Sequence, residues 1–144
     1  MHNSQHLIDP YSFTHLLHGI ALYGIVWLLL GSKTTPATRA VMVIATEAVW
    51  EVFENTSFVI ERYREATISL DYYGDSVLNS LADIVACVGG VVVAMTVPIW
   101  ASTTVFIVVE VALLIWIRDS FLLNILMLAL PLDAIKDWQM GGIN

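Results

Sequence analysis

Hydrophobic residues run along this chain in long blocks separated by short polar segments. Residues 11–31, 40–60, 76–97 and 100–117 each approach the roughly 20 apolar residues a helix needs to cross a hydrocarbon layer. Pro98 separates the third block from the fourth. A fifth block, 120–138, is shorter and carries Pro131, so it reads as a short span or a re-entrant helix. Backbone groups in lipid are satisfied only inside helices or closed barrels, and these lengths fit helices. The pattern predicts an all-α fold: a polytopic transmembrane bundle of five helices forming one domain, 1–144.

Composition supports this. The 144 residues are 58% hydrophobic and 13% charged, with a mean hydropathy of +0.76. Soluble domains run at about 45–50% apolar and about 25% charged. Disordered, fibrous and disulfide-stapled classes are excluded, and Cys87 alone cannot form an internal disulfide. Net charge is −7, from 13 acids against 6 Lys and Arg, so no nucleic-acid footprint is present. The first block lacks a basic flank and contains histidines, unlike a secretory signal.

Ionisable groups inside a membrane are costly and mark functional sites. His15 and His18 stand three apart on the first block. Glu47, Glu51, Glu54 and Asn55, with Phe58 next, follow helical spacing on the second. Asp75, Asn79 and Asp83 share a face of the third, continued by Cys87 and Gly90. Glu110 and Arg118 are eight apart on the fourth, and Asn124 lies in the fifth. Because consecutive spans alternate direction, nearly all of these fall at one side of the membrane, with Glu47 and Glu110 nearer the middle. Trp27, Trp100, Trp116 and Trp138 lie at block ends and read as interface anchors; Trp50 is mid-block.

The membrane-depth acids Glu47, Glu51, Glu54, Asp75, Asp83 and Glu110 face only Arg118 and Arg62 as firm cations. Such a set needs protonated carboxylates, a bound cation or a water-filled pocket. Carboxylates and imidazoles together suit a metal. The metal-ligand candidates are His15, His18, Glu51, Glu54 and Asp83. The catalytic candidates are Glu51 and Glu54, as base or ligand, and Arg118, as anion holder paired with Glu54, Asp75 or Asp83. The cofactor expected is a divalent metal ion of unspecified identity. Against this stands a purely structural polar network, common in membrane bundles. Glu51-x-x-Glu54 is half of a di-metal pattern, but the Glu-x-x-His motifs of such sites are missing. All four histidines (His2, His6, His15, His18) precede residue 19, which excludes a haem held between histidines of two helices. In the loop 61–75, Gly74 permits a turn and Asp75 or Ser76 caps the next helix; Asp119 is a similar cap.

The runs NSQHLIDPYSFTHLLHG, EAVWEVFENTSFVIERYREATISLDYYGDSVLNSLADI and IRDSFLLNILMLALPLDAIKDWQ resemble the bacterial family known as domain of unknown function 2585 (uncharacterised protein family 0314). The likeness covers nearly the whole chain. It implies a bacterial inner-membrane, multi-pass protein. In that family a hydrophobic segment and a Cys-x-Cys-Gly stretch precede the part matching Asn3, so the resemblance implies a periplasmic side for the region 3–6. No metal role resting on those cysteines is transferred to this sequence. Lys33 and Arg39, together with Lys136, nearly balance Arg62, Arg64 and Arg118 on the other side; the polar-side argument favours an outside N-terminus.

The expected function is therefore an inner-membrane protein with an acidic, His-containing pocket open to the periplasmic side. That pocket is a cation-binding or metal-dependent catalytic site. Alternatives are a non-catalytic subunit of a larger membrane complex, with Gly89-Gly90 and Ala94 as a packing strip, and an ion or proton transporter. The expected partners are membrane lipid and a membrane protein complex or homo-oligomer, with no nucleic acid.

Overall fold

The computed structural model describes residues 6–141; His2 and Asn3 lie outside them. Within these residues the fold is all-helical: α1 (Ser12–Leu30), α2 (Pro36–Glu54), α3 (Ser57–Ala66), α4 (Val77–Thr96), α5 (Ile99–Ile117), α6 (Phe121–Ala129) and α7 (Asp133–Met140). A 3-10 turn, Gly31–Lys33, extends α1.

Local chemistry sets the helix starts. The Asp9 carboxylate accepts from the backbone N–H groups of Tyr11 (2.7 Å) and Ser12 (3.2 Å), and Ser12 Oγ accepts from Asp9 N (3.3 Å). Thr35 caps α2, with Pro36 at the first helical position where no donor is needed. Ser76, not Asp75, caps α4, and Ser120, not Asp119, caps α6. Gly74 adopts φ 95°, and a Cβ there would lie 2.8 Å from Asn55 Oδ1.

Among the described residues, three helical segments, not five, are long and apolar enough to cross a membrane: Ser12–Lys33, Val77–Thr96 and Ile99–Ile117. Two features correct the five-span expectation. The block 120–138 is broken between Ala129 and Asp133, around Pro131, into helices of nine and eight residues; each rises only about 12–14 Å. The block 40–60 is broken at Asn55 and Thr56, where the chain leaves α2 for α3. Phe58, expected beside the acid stripe, is consequently exposed. α2 itself has 19 residues but carries Arg39, Glu47, Glu51 and Glu54.

The centre of the bundle is the crossing of α1 and α4, against which α2 packs. Gly19 and Gly90 let the two backbones meet: a Cβ on Gly90 would lie 2.0 Å from Leu16 O, and one on Gly19 would lie 2.1 Å from Cys87 O. Small residues at such crossings allow close approach. Gly90 thus serves packing within the chain, while a Cβ on Gly89 would meet nothing within 4 Å. Tyr23, Val43, Cys87 and Val91 fill one side of the crossing. Leu17, Ile20, Leu113 and Phe121 bring α5 and α6 onto the other.

Candidate metal centre

The start of α1, the end of α2 and the start of α4 bring their polar faces together at one end of the bundle. Glu47, Glu51 and Glu54 are buried on the inward side of α2, and Asn79 and Asp83 on the inward side of α4. His15 is buried on α1 between them, with His18 one turn on.

Glu47 is the hub. His15 Nδ1 lies 2.5 Å from its Oε1, and His18 Nδ1 lies 2.8 Å from its Oε2. The same His15 nitrogen is 3.2 Å from Glu51 Oε1, while His15 Nε2 is 4.0 Å from Asp83 Oδ2. The two imidazoles pack edge to face at 4.8 Å, and His18 is flanked by Trp50 and Phe121. Two ligand-atom groups fall within 4.8 Å: His15, His18 and Glu47, and His15, Glu51 and Glu54. Both could hold a metal ion. Both oxygens of Glu51 are buried without a hydrogen bond, Oε1 within ion-pair distance of His15.

No Lys or Arg among the described residues lies within 4.0 Å of a carboxylate; His15 and His18 supply every such pair. The basic side chains bond to carbonyls instead. Arg62 donates to Leu128 O (2.9 Å), Arg64 to Tyr72 O (2.5 Å) and Lys136 to Glu65 O (2.5 Å). Arg39 donates back to Thr34 and Thr35 at the start of α2.

A cavity of about 960 Å³ opens beside this cluster, lined on its polar side by His15, His18, Glu54, Asp75 and Asp83. Tyr72 donates its hydroxyl to Asp75 Oδ2 at 2.7 Å, and Asn55 Oδ1 accepts from Asp75 N at 2.6 Å. Burial pushes the Asp75 carboxyl above its ordinary value, against the opposing pull of the Tyr72 hydrogen bond and His15. Burial likewise raises Asp119, although it accepts from Ser120 N (2.9 Å) and from the Tyr11 hydroxyl (3.3 Å). Tyr63 is held well above the usual phenol range, by burial and then by the Glu54 carboxylate.

Four of the sequence-derived metal candidates, His15, Glu51, Glu54 and Asp83, converge here, with His18 joined through Glu47. Arg118 does not pair as expected. It ends α5 in a left-handed conformation (φ 53°), donates from Nη1 to Trp138 O at 2.9 Å and stacks over the Trp138 ring. The chain reversal after α5 turns it toward α7 rather than α2, although it still lines the cavity. Glu110 also stands apart, accepting from Leu122 N at 2.8 Å in the first turn of α6. Glu47 is not among the ligand candidates drawn from the sequence. It belongs to the same acid stripe of α2 as Glu51 and Glu54. Asp9 was also overlooked, although Asp-Pro before an apolar run is a helix-start signal.

A family model described as "Protein of unknown function (DUF2585)" matches residues 1–141. UPF0314 proteins of Sinorhizobium fredii and Paracoccus denitrificans are each 47% identical to this chain, over 96% and 95% of it and 70% of their own length. A UPF0314 protein of Sphingopyxis alaskensis is 42% identical, over 97% of this chain and 74% of its own. No solved structure matches. With the match running through every helix and both halves of the His/Glu cluster, the chain belongs to the family described as Protein of unknown function (DUF2585).

Proposed function

We propose that this is a multi-pass inner-membrane protein that binds a divalent cation between His15, His18, Glu47 and Glu51, in a pocket facing the periplasm. The observation that carries the reading is the meeting of two imidazoles on one buried carboxylate, beside a Glu51 whose buried oxygens make no hydrogen bond. With no Lys or Arg at the cluster, neutralisation falls to protons or to a metal. Imidazole and carboxylate are good ligands for zinc, iron or manganese. Glu54 and Asp83, at the cavity wall, are placed to act as acid or base on a molecule bound above the ion. The exposed side of α2 is apolar at Val41, Val49 and Val52. Its acids face inward, which supports α2 as a fourth crossing beside the three apolar helices.

The test is metal analysis of the purified protein together with accessibility in intact cells. Wild type is expected to carry a stoichiometric divalent ion, His18→Ala and Glu51→Gln to lose most of it, and Glu61→Gln, at an exposed position, to keep it. Equal and negligible metal in all four would leave a structural network as the reading. Cysteine placed at Glu61 should react with an impermeant thiol reagent while cysteine at Ser32 should not; the reverse pattern would invert the topology. Cys87 is buried and contributes no background.

A further inference from the structure

The cavity has two unlike walls. Ile115, Trp116 and Ile125 line it and are also exposed on the outside of the bundle, the first two in the last turn of the membrane-spanning α5. The space therefore reaches from the acid cluster to the surface that faces lipid. Its volume, about 960 Å³, suits a ligand larger than a single ion.

The opposite wall holds buried acceptors without partners. Glu54 Oε2, Asp83 Oδ1 and Gln139 Oε1 are buried without a hydrogen-bond partner, on side chains of residues 8%, 3% and 1% exposed. Gln139 Nε2 already donates to Arg118 O at 2.9 Å, which leaves its oxygen as the free end. Several donors that line the same space are engaged elsewhere, Arg118 on Trp138 O, Tyr72 on Asp75 and Asn79 on His6 O, while Tyr63 lies against Glu54. Five acids line the cavity, Asp9, Glu54, Asp71, Asp75 and Asp83, against Arg118 and two histidines. Buried acceptors without donors are costly, and a ligand that relieves all three brings N–H groups and positive charge. An ammonium offers three donors and no acceptor. A phosphate or carboxylate head offers only acceptors and meets like charge.

We propose that the cavity binds an amphiphile with a primary ammonium head, drawn from the membrane, with the head at Glu54 and Asp83 and the chain against Ile115, Trp116 and Ile125. The inference rests on the membrane placement given above and not on the ion. A divalent cation at Glu47 still leaves the lining acids in excess.

The experiment titrates octylamine, octanol, octyl phosphate and spermidine into wild-type protein in phosphatidylcholine nanodiscs. Trp50 and Trp116, both in the lining, report binding by fluorescence. Octylamine is expected to bind at least about tenfold tighter than each of the others, the factor that one ionic hydrogen bond supplies. Asp83→Asn should abolish that preference. Ile125→Ser, at an exposed position, should weaken octylamine and leave spermidine unchanged. Equal binding of the three octyl compounds, tighter octyl phosphate, or spermidine matching octylamine would each overturn the proposal. Metal content of the same preparation separates the two readings. Ion-free protein that prefers octylamine removes the ion alone, and ion-loaded protein without the preference removes the amphiphile alone.

Discussion

Gly90→Ala is expected to remove most folded protein from a detergent extract, although it adds one methyl group. The new Cβ would sit 2.0 Å from Leu16 O and 3.0 Å from Ile20 N. Both are backbone atoms of α1, so no rotamer change makes room, and α1 must move off α4. Overpacking a well-packed site costs about 1–3 kcal/mol when side chains can adjust; here they cannot, so the loss should reach or exceed the top of that range. Gly19→Ala, whose Cβ would meet Cys87 O at 2.1 Å and Val91 N at 2.8 Å, should behave alike. Gly24 and Gly89 provide the controls, since a Cβ at either meets nothing within 4 Å. Alanine there should be neutral or stabilise by up to about 1 kcal/mol, through the backbone entropy glycine loses in a helix. Melting temperatures of the four variants in one detergent decide it. If Gly90→Ala melts with Gly89→Ala, the close crossing of α1 and α4 is not how the protein packs.

Glu47→Ala should be the most damaging change in the polar cluster. It strips two imidazoles of their shared acceptor at a fully buried position. Removing one partner of a buried ionic pair costs about 3–5 kcal/mol, and two partners are orphaned here. Glu47→Gln keeps one acceptor oxygen and should recover part of the loss. Glu61→Ala, exposed on α3, should fall within about 0.5 kcal/mol of wild type, as surface changes usually do. Thermal stability of the three variants, measured with and without a chelator, separates the carboxylate's packing role from its role toward an ion. A Glu47→Ala protein as stable as Glu61→Ala would show that His15 and His18 do not depend on it.

The amino-acid sequence by itself determined the helices and their inward faces. Glu47, Glu51 and Glu54 recur at helical spacing, as do Asn79, Asp83 and Cys87, and no other face of those apolar segments can hold them in lipid. Direction reversal between consecutive spans then places His15, Glu51, Glu54 and Asp83 at one level, where the structure has them. Glu47 reads as nearer the middle of the membrane, yet it meets both histidines. Four residues of helix rise only about 6 Å, a distance that a glutamate and a histidine side chain close between them.

What only the tertiary structure decided lies at the breaks and crossings. Two helix backbones must be seen together before Gly19 and Gly90 acquire a reason, since each is unremarkable on its own helix. Arg118 looked like a partner for the acids by periodicity, but its left-handed conformation ends α5 and delivers the guanidinium to Trp138. Pro131 and the Asn55–Thr56 turn converted two apparent spans into shorter helices, because hydropathy averages over a block and does not register where a chain bends. Gln139 gave no signal in a polar C-terminal stretch, yet docking of α7 buries it at the cavity wall. Local pattern fixes what a helix turns inward; which inward faces meet, and what space they leave, is set by backbone approach and chain reversal, which no periodicity encodes.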